Sequence, residues 1–225
     1  MDAAGRNLGW GRPRFLSGVE FVVAAMVVLG HNVWRVVPNE EPILVVAGLL
    51  SFRLRDGGWA GLGFRRPESW RRLILIAAAA AALRLVLGSF VVEPLTAYVW
   101  PPIKGPEVAA DTSGNIAAAL GMLGLVWTFA AFGEEIAYRG YATARAADVL
   151  GGSRLAWWLA TLAVSILFGY GHYYKGPAGI LDSGIAGLIL GGAYLLAKRN
   201  LWASVLAHGF IDTTAVGLLY FGLDS

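Results

Sequence analysis

The sequence predicts an all-α fold, a polytopic bundle of about seven transmembrane helices. Composition is the first sign: 57% of the 225 residues are hydrophobic and only 15% are charged, against about a quarter charged in soluble domains. The mean hydropathy is +0.60. The apolar residues also fall in long blocks, several near the roughly 20 residues needed to cross about 30 Å of hydrocarbon. Together these features exclude a disordered chain, a soluble nucleic-acid binder and a secreted disulfide scaffold. The chain has no cysteine, so disulfides, Cys-ligated metals and thiol nucleophiles are excluded as well.

The first span is expected over residues 15–37, interrupted by Glu20 and His31. Its apolar stretch is too long for a signal peptide and no small-residue cleavage site follows, so it is expected to stay in the mature protein. A short second candidate covers 43–52, and a third covers 73–92 with Arg84 inside it. The fourth runs from 116 to 132, where it meets Glu134 and Glu135. The fifth, sixth and seventh are expected over 155–170, 180–197 and 201–221. The 30 glycines and abundant alanines suit helices that pack closely in lipid. With no repeat or linker in view, residues 1–225 read as one integral membrane domain.

The net charge of +3 is a topology signal here, because Lys and Arg collect in cytoplasmic loops. If every segment crosses, one face gathers Arg6, Arg12, Arg14, Arg53, Arg55, Arg65, Arg66, Arg71, Arg72, Arg139, Arg145, Arg154, Lys198 and Arg199. The other face has Arg35, Lys104 and Lys175. The expected location is therefore the cell membrane, multi-pass, with a cytoplasmic N-terminus and an external C-terminal tail.

Ionisable residues at membrane depth cost at least a few kcal/mol each, so each needs a partner or a function. Glu20, His31, Arg84 and Asp182 lie in no motif and are expected to pair between helices or at helix ends. The back half differs. In F-G-E-E-I-A-Y-R, Glu135 and Arg139 are four residues apart, on one helix face and in the better order for pairing. Glu134 points about 100° away. One carboxylate is thus held by Arg while the other can face a cavity. In F-G-Y-G-H, Phe168 and His172 are four apart, and in H-G-F-I-D so are His208 and Asp212. Mutual pairing across three helices would make the burial of all these groups tolerable.

E-E-x-x-x-R, F-x-x-x-H and H-x-x-x-D, in that order on successive helices, resemble the motifs of the CPBP (Abi) family. That family contains type II CAAX prenyl endopeptidases and bacteriocin-processing proteins. The likeness covers a family-like catalytic core at about 116–221 and leaves the front half unmatched. It implies an intramembrane endopeptidase in which Glu134 and His172 activate a water, His208 and Asp212 stabilise the oxyanion, and Glu135 and Arg139 support Glu134. An ionised Asp212 would repel an oxyanion, so it must be protonated, orient His208 or bind a cation.

The same residue types raise zinc, since Glu134, His172 and His208, with Asp212 nearby, are ligands of the kind found in catalytic zinc sites. H-E-x-x-H is absent, however, and water activation by glutamate needs no metal; that reading is preferred, with zinc kept as the alternative. The expected partners are a membrane-associated protein or peptide substrate and the bilayer itself, without nucleic acid. A non-catalytic scaffold or immunity protein of the same fold, and a small proton-coupled transporter, are the competing functions. Straight spans leave one difficulty. Glu134 and His172 would sit roughly 20 Å apart in depth unless the helix breaks near Gly169–Gly179 or the fourth segment lies deeper.

Overall fold

A computed structural model describes residues 12–100 and 112–223; Arg6, Lys104 and the side chain of Arg12 lie outside the described residues. Seven helices follow in chain order: α1 (Arg12–Asn32), α2 (Glu40–Arg55), α3 (Trp70–Val99), α4 (Ile116–Val149), α5 (Arg154–Tyr170), α6 (Gly176–Leu196) and α7 (Leu201–Phe221). Among the described residues there is no strand. Local sequence fixes the helix starts. Asn39, Ser69, Asn115, Ser153 and Asn200 each accept a hydrogen bond from a backbone N–H two or three residues on, satisfying donors that a helix start leaves open. Helix α7 stops at Gly222, whose φ of 66° suits a residue without Cβ.

Five of these segments are long and apolar enough to cross a membrane: Arg14–Asn32 in α1, all of α3 and α4, Tyr173–Leu196 around α6, and α7. Helix α2, with 16 residues, and α5, with 17, are shorter. The surface is apolar, with Val22, Leu75, Phe90, Leu120, Phe129 and Ile166 all exposed. Many charged and polar groups face inward. This is a multi-pass membrane protein, with its polar contacts gathered between helices where they can satisfy one another.

The fourth segment does not end at residue 132. It continues as one helix to Val149, because Glu135, Arg139 and Arg145 find partners on neighbouring helices instead of needing water. Glu134 therefore sits mid-helix. It and the C-terminal end of α5 both lie roughly 20–25 Å from the α4–α5 turn, which removes the depth mismatch with His172. The third segment is also longer than its expected 73–92, running over Trp70–Val99. Within α4, Val126–Ala142 is wound as a π-helix, with bonds reaching five residues back instead of four. Both the N–H and the hydroxyl of Thr143 bond to the Tyr138 carbonyl at the end of this stretch.

Two arginines assigned to the basic face are interior. Arg139 and Arg145 are each 2% exposed, so neither marks a loop. Arg145 ties α4 to α1 and α2 through Glu20 at 3.0 Å and Asp56 at 2.7 Å, with Ser51 at 2.6 Å and its guanidinium over Phe52. Glu20 also pairs with Arg55. The remaining single charges are partnered as expected. His31 faces Glu40 at 3.2 Å, and Arg84 reaches Asp182 at 2.6 Å across α3 and α6. Helices α5 and α6 touch through small residues. A Cβ on Gly169 would lie 2.5 Å from the Ile180 carbonyl, and one on Gly187 3.2 Å from Phe168 and Ser165. That close contact positions Phe168 beside α4.

Candidate active site

The site is built around Glu135, which is completely buried. Its Oε1 accepts a hydrogen bond from Arg139 Nη1 at 2.8 Å and another from His208 Nδ1, also at 2.8 Å. A carboxylate only accepts, so the imidazole proton on this side belongs to Nδ1. Arg139 in turn donates to the Gly187 carbonyl at 3.2 Å and stacks on Phe168, 4.3 Å from the ring centre. One Glu–Arg pair thereby joins α4 to α7, α6 and α5.

With Nδ1 committed, His208 turns Nε2 toward two further carboxylates. Glu134 Oε2 is 4.0 Å from it and Asp212 Oδ2 is 3.6 Å. The side chains of Glu134 and Asp212 are 21% and 22% exposed, against 0% for Glu135. The two neighbouring glutamates therefore divide as their helical offset predicts: one is locked by Arg139, the other is open.

His172 lies in the turn between α5 and α6, outside both helices. Its Nδ1 donates to the Phe168 carbonyl at 3.0 Å, leaving Nε2 as an acceptor, and its ring packs on Phe168 at 4.8 Å. Burial, and then the Lys175 cation, push its pKa down to about 4, so the ring is neutral near pH 7. Phe168 is the shared neighbour. The rings of His172, His208 and Tyr138 and the Arg139 guanidinium all surround it. His172 thus reaches the same cluster, but among the described residues it makes no hydrogen bond or ion pair with Glu134.

Zinc needs several ligand atoms converging at about 2.0–2.2 Å from one point. Among the described residues no three His, Asp or Glu side chains converge in that way. Glu135 occupies one nitrogen of His208, and His172 stands beyond Phe168.

Glu41 has no counterpart among the expected site residues. Its carboxylate lies where a Cβ on Gly133 would be, one residue from Glu134. Nothing in E-E-P-I at the start of a short apolar segment points across 92 residues to that contact; only the glycine before Glu134 hints at a close neighbour. Trp127 is a second such residue. Its indole covers Gly209 and donates to Thr213 at 3.1 Å, pressing α4 against α7 beside His208.

The matched order of motifs now has its geometry. Residues 116–214, a little under half of the chain, match the family model described as Type II CAAX prenyl endopeptidase Rce1-like. That segment of the chain is similar to this family. The match begins at the first residue of α4 and ends within α7, so it spans the segments that supply Glu134, Glu135, Arg139, His172, His208 and Asp212. Neither the curated proteins nor the solved structures give a match. The Rce1-like family is a protease family.

Proposed function

We propose that this protein is an intramembrane endopeptidase in which Glu134 is the general base. The observation that supports this reading is the division of labour between the paired glutamates. Arg139 and His208 hold Glu135, while Glu134 is partly open beside His208 Nε2. A water held by Glu134 and His172 attacks the scissile carbonyl carbon as Glu134 takes its proton. The C–N bond then breaks and the amine leaves with that proton. In its imidazolium form His208 donates from Nε2 to the oxyanion, a contact of the kind worth several kcal/mol in the transition state. Asp212, 3.6 Å from Nε2, orients the ring.

No metal enters these steps. The substrate is a membrane-associated protein or peptide; the prenylated CAAX proteins in the family's name are the first class to try. The excess of Lys and Arg at one end of the bundle supports a cytoplasmic position for that end and for the N-terminus.

The test is cleavage of a membrane-peptide library by the wild type and by Glu134→Gln in lipid, with chelator and with zinc re-addition. Activity in the wild type alone, unaffected by chelation, is the expected result. Equal cleavage by both proteins, or none by either, favours the scaffold reading. Loss on chelation that zinc reverses replaces the metal-free mechanism.

A further inference from the structure

At the end of the bundle where α3 and α7 begin and α6 stops, the structure has a cavity of about 460 Å³. Five cations line it: Arg65, Arg66, Arg72, Lys198 and Arg199, all exposed, against a single carboxylate, Glu68. Glu68 accepts from Lys198 Nζ with both oxygens at 2.8 Å. That pair is fully exposed and therefore weak, so an incoming anion displaces it cheaply. Arg65 is committed to the Lys198 carbonyl, and Arg199 stacks on Trp157. Among the described residues, Arg66 and Arg72 make no side-chain hydrogen bond or ion pair.

The backbone presents two of these cations at some cost. Lys198 and Arg199 take successive left-handed conformations, with φ of 58° and 63°, where Gly or Asn would close α6 with less strain. Their N–H groups bond to the carbonyls of Leu195 and Tyr194, and the turn sends both side chains to the cavity rim.

Below the cations the wall is apolar, formed by Leu73, Ile76 and the exposed Leu196. Beside it Trp70 and Trp202 pack with ring centres 6.2 Å apart. Tryptophans gather at the headgroup level of a bilayer, and Leu73 begins the apolar face of α3. A cavity that is basic above, apolar below and flanked by interfacial tryptophans matches a lipid in cross-section. We infer that it is a binding site for an anionic phospholipid, whose phosphodiester is held by Arg66 and Arg72 and whose acyl chains run along Ile76 and Leu196. Arg supplies the forked donors that suit phosphate oxygens, and basic pockets between membrane helices bind headgroups of this kind. A choline headgroup brings its own cation into an already positive cavity and is disfavoured.

The test is native mass spectrometry of the full chain released from vesicles of phosphatidylcholine with 30 mol% phosphatidylglycerol, in which retained lipids are counted. The wild type is expected to keep phosphatidylglycerol in preference to phosphatidylcholine. The double variant Arg66→Gln/Arg72→Gln should weaken that preference about tenfold or more. A matched double variant, Arg53→Gln/Arg71→Gln, removes two exposed charges from the same end of the bundle but outside the cavity, and it should keep the preference. Equal retention by the wild type and the cavity variant overturns the site, as does an equal loss in the control. Inorganic phosphate is the third arm. Phosphate at millimolar concentration that competes the lipid away would show that a free anion is the occupant and overturn the lipid assignment.

Discussion

Replacing Arg139 with methionine should separate what holds this site together from what it does. The guanidinium is 2% exposed and Glu135 is fully buried, so the variant leaves a carboxylate inside the bundle with His208 as its remaining charged partner. Breaking a buried pair by removing one member costs about 3–5 kcal/mol. The Gly187 carbonyl also loses its donor. At roughly 2–4 °C per kcal/mol for a chain of this size, Arg139→Met should unfold about 6–20 °C below the wild type in detergent. The double variant Glu135→Met/Arg139→Met strands no charge. Replacing a whole buried pair with apolar groups is often close to neutral, so at least about half of the lost stability should return. Cleavage should not return, since His208 Nδ1 then has no carboxylate to fix its ring. The assay is thermal unfolding of all four members of the cycle, with peptide cleavage measured beside it. A cost below about 1 kcal/mol for Arg139→Met, or a double variant less stable than the single, would refute the pairing argument.

Two other perturbations follow from particular contacts. A methyl group on Gly209 runs into the Trp127 indole, which the Thr213 bond holds in place; Gly209→Ala should cost about 1–3 kcal/mol by overpacking, read by thermal unfolding, and should lower cleavage through the displaced His208. His172 gives a pH signature. Its folded pKa is about 4 against 6.5 for an unperturbed imidazole, so the unfolded chain takes up the proton first as pH falls. The stability it allows is complete above about 6.5 and is lost as pH drops toward 4. Thermal unfolding followed from about pH 3.5 to 7 should show that loss, and Lys175→Gln, by removing the cation that helps hold the pKa down, should make it smaller. A pH-dependent loss of stability unchanged by Lys175→Gln would count against His172 as the titrating group.

The helical class and the pairing of Glu135 with Arg139 were legible because each rests on local periodicity: apolar run length for one, a four-residue offset for the other. Phe168 and His172 pack together as their four-residue spacing suggests, although His172 lies in the turn after α5. The end of α4 was not legible. A polar run such as G-E-E-I-A-Y-R resembles a helix leaving the membrane unless the partners that neutralise it are known, and those partners lie on α7 for Glu135, on α5 and α6 for Arg139 and on α1 and α2 for Arg145. Counting these two arginines as loop charges followed from the same blindness to tertiary pairing. Glu41 was out of reach because its contact with Gly133 depends on how α2 crosses α4. The bond between Glu135 and His208 joins residues 73 positions apart; the motif order suggested their proximity, and the packing decided which nitrogen was used.

The π-wound stretch of α4 has a consequence for how this helix tolerates change. Each π turn takes in about one residue more than an α turn, so Val126–Ala142 acts as a phase adjuster between two clamped ends. At its start Trp127 is fixed against α7; beyond its end Arg145 is fixed against α1 and α2. Removing one residue between those anchors would turn about one π turn into an α turn. Glu134 and Glu135 lie between the anchors, so such a change would rotate both carboxylates relative to α7. In this helix the length of the chain, as much as the identity of its residues, sets the direction in which Glu134 points.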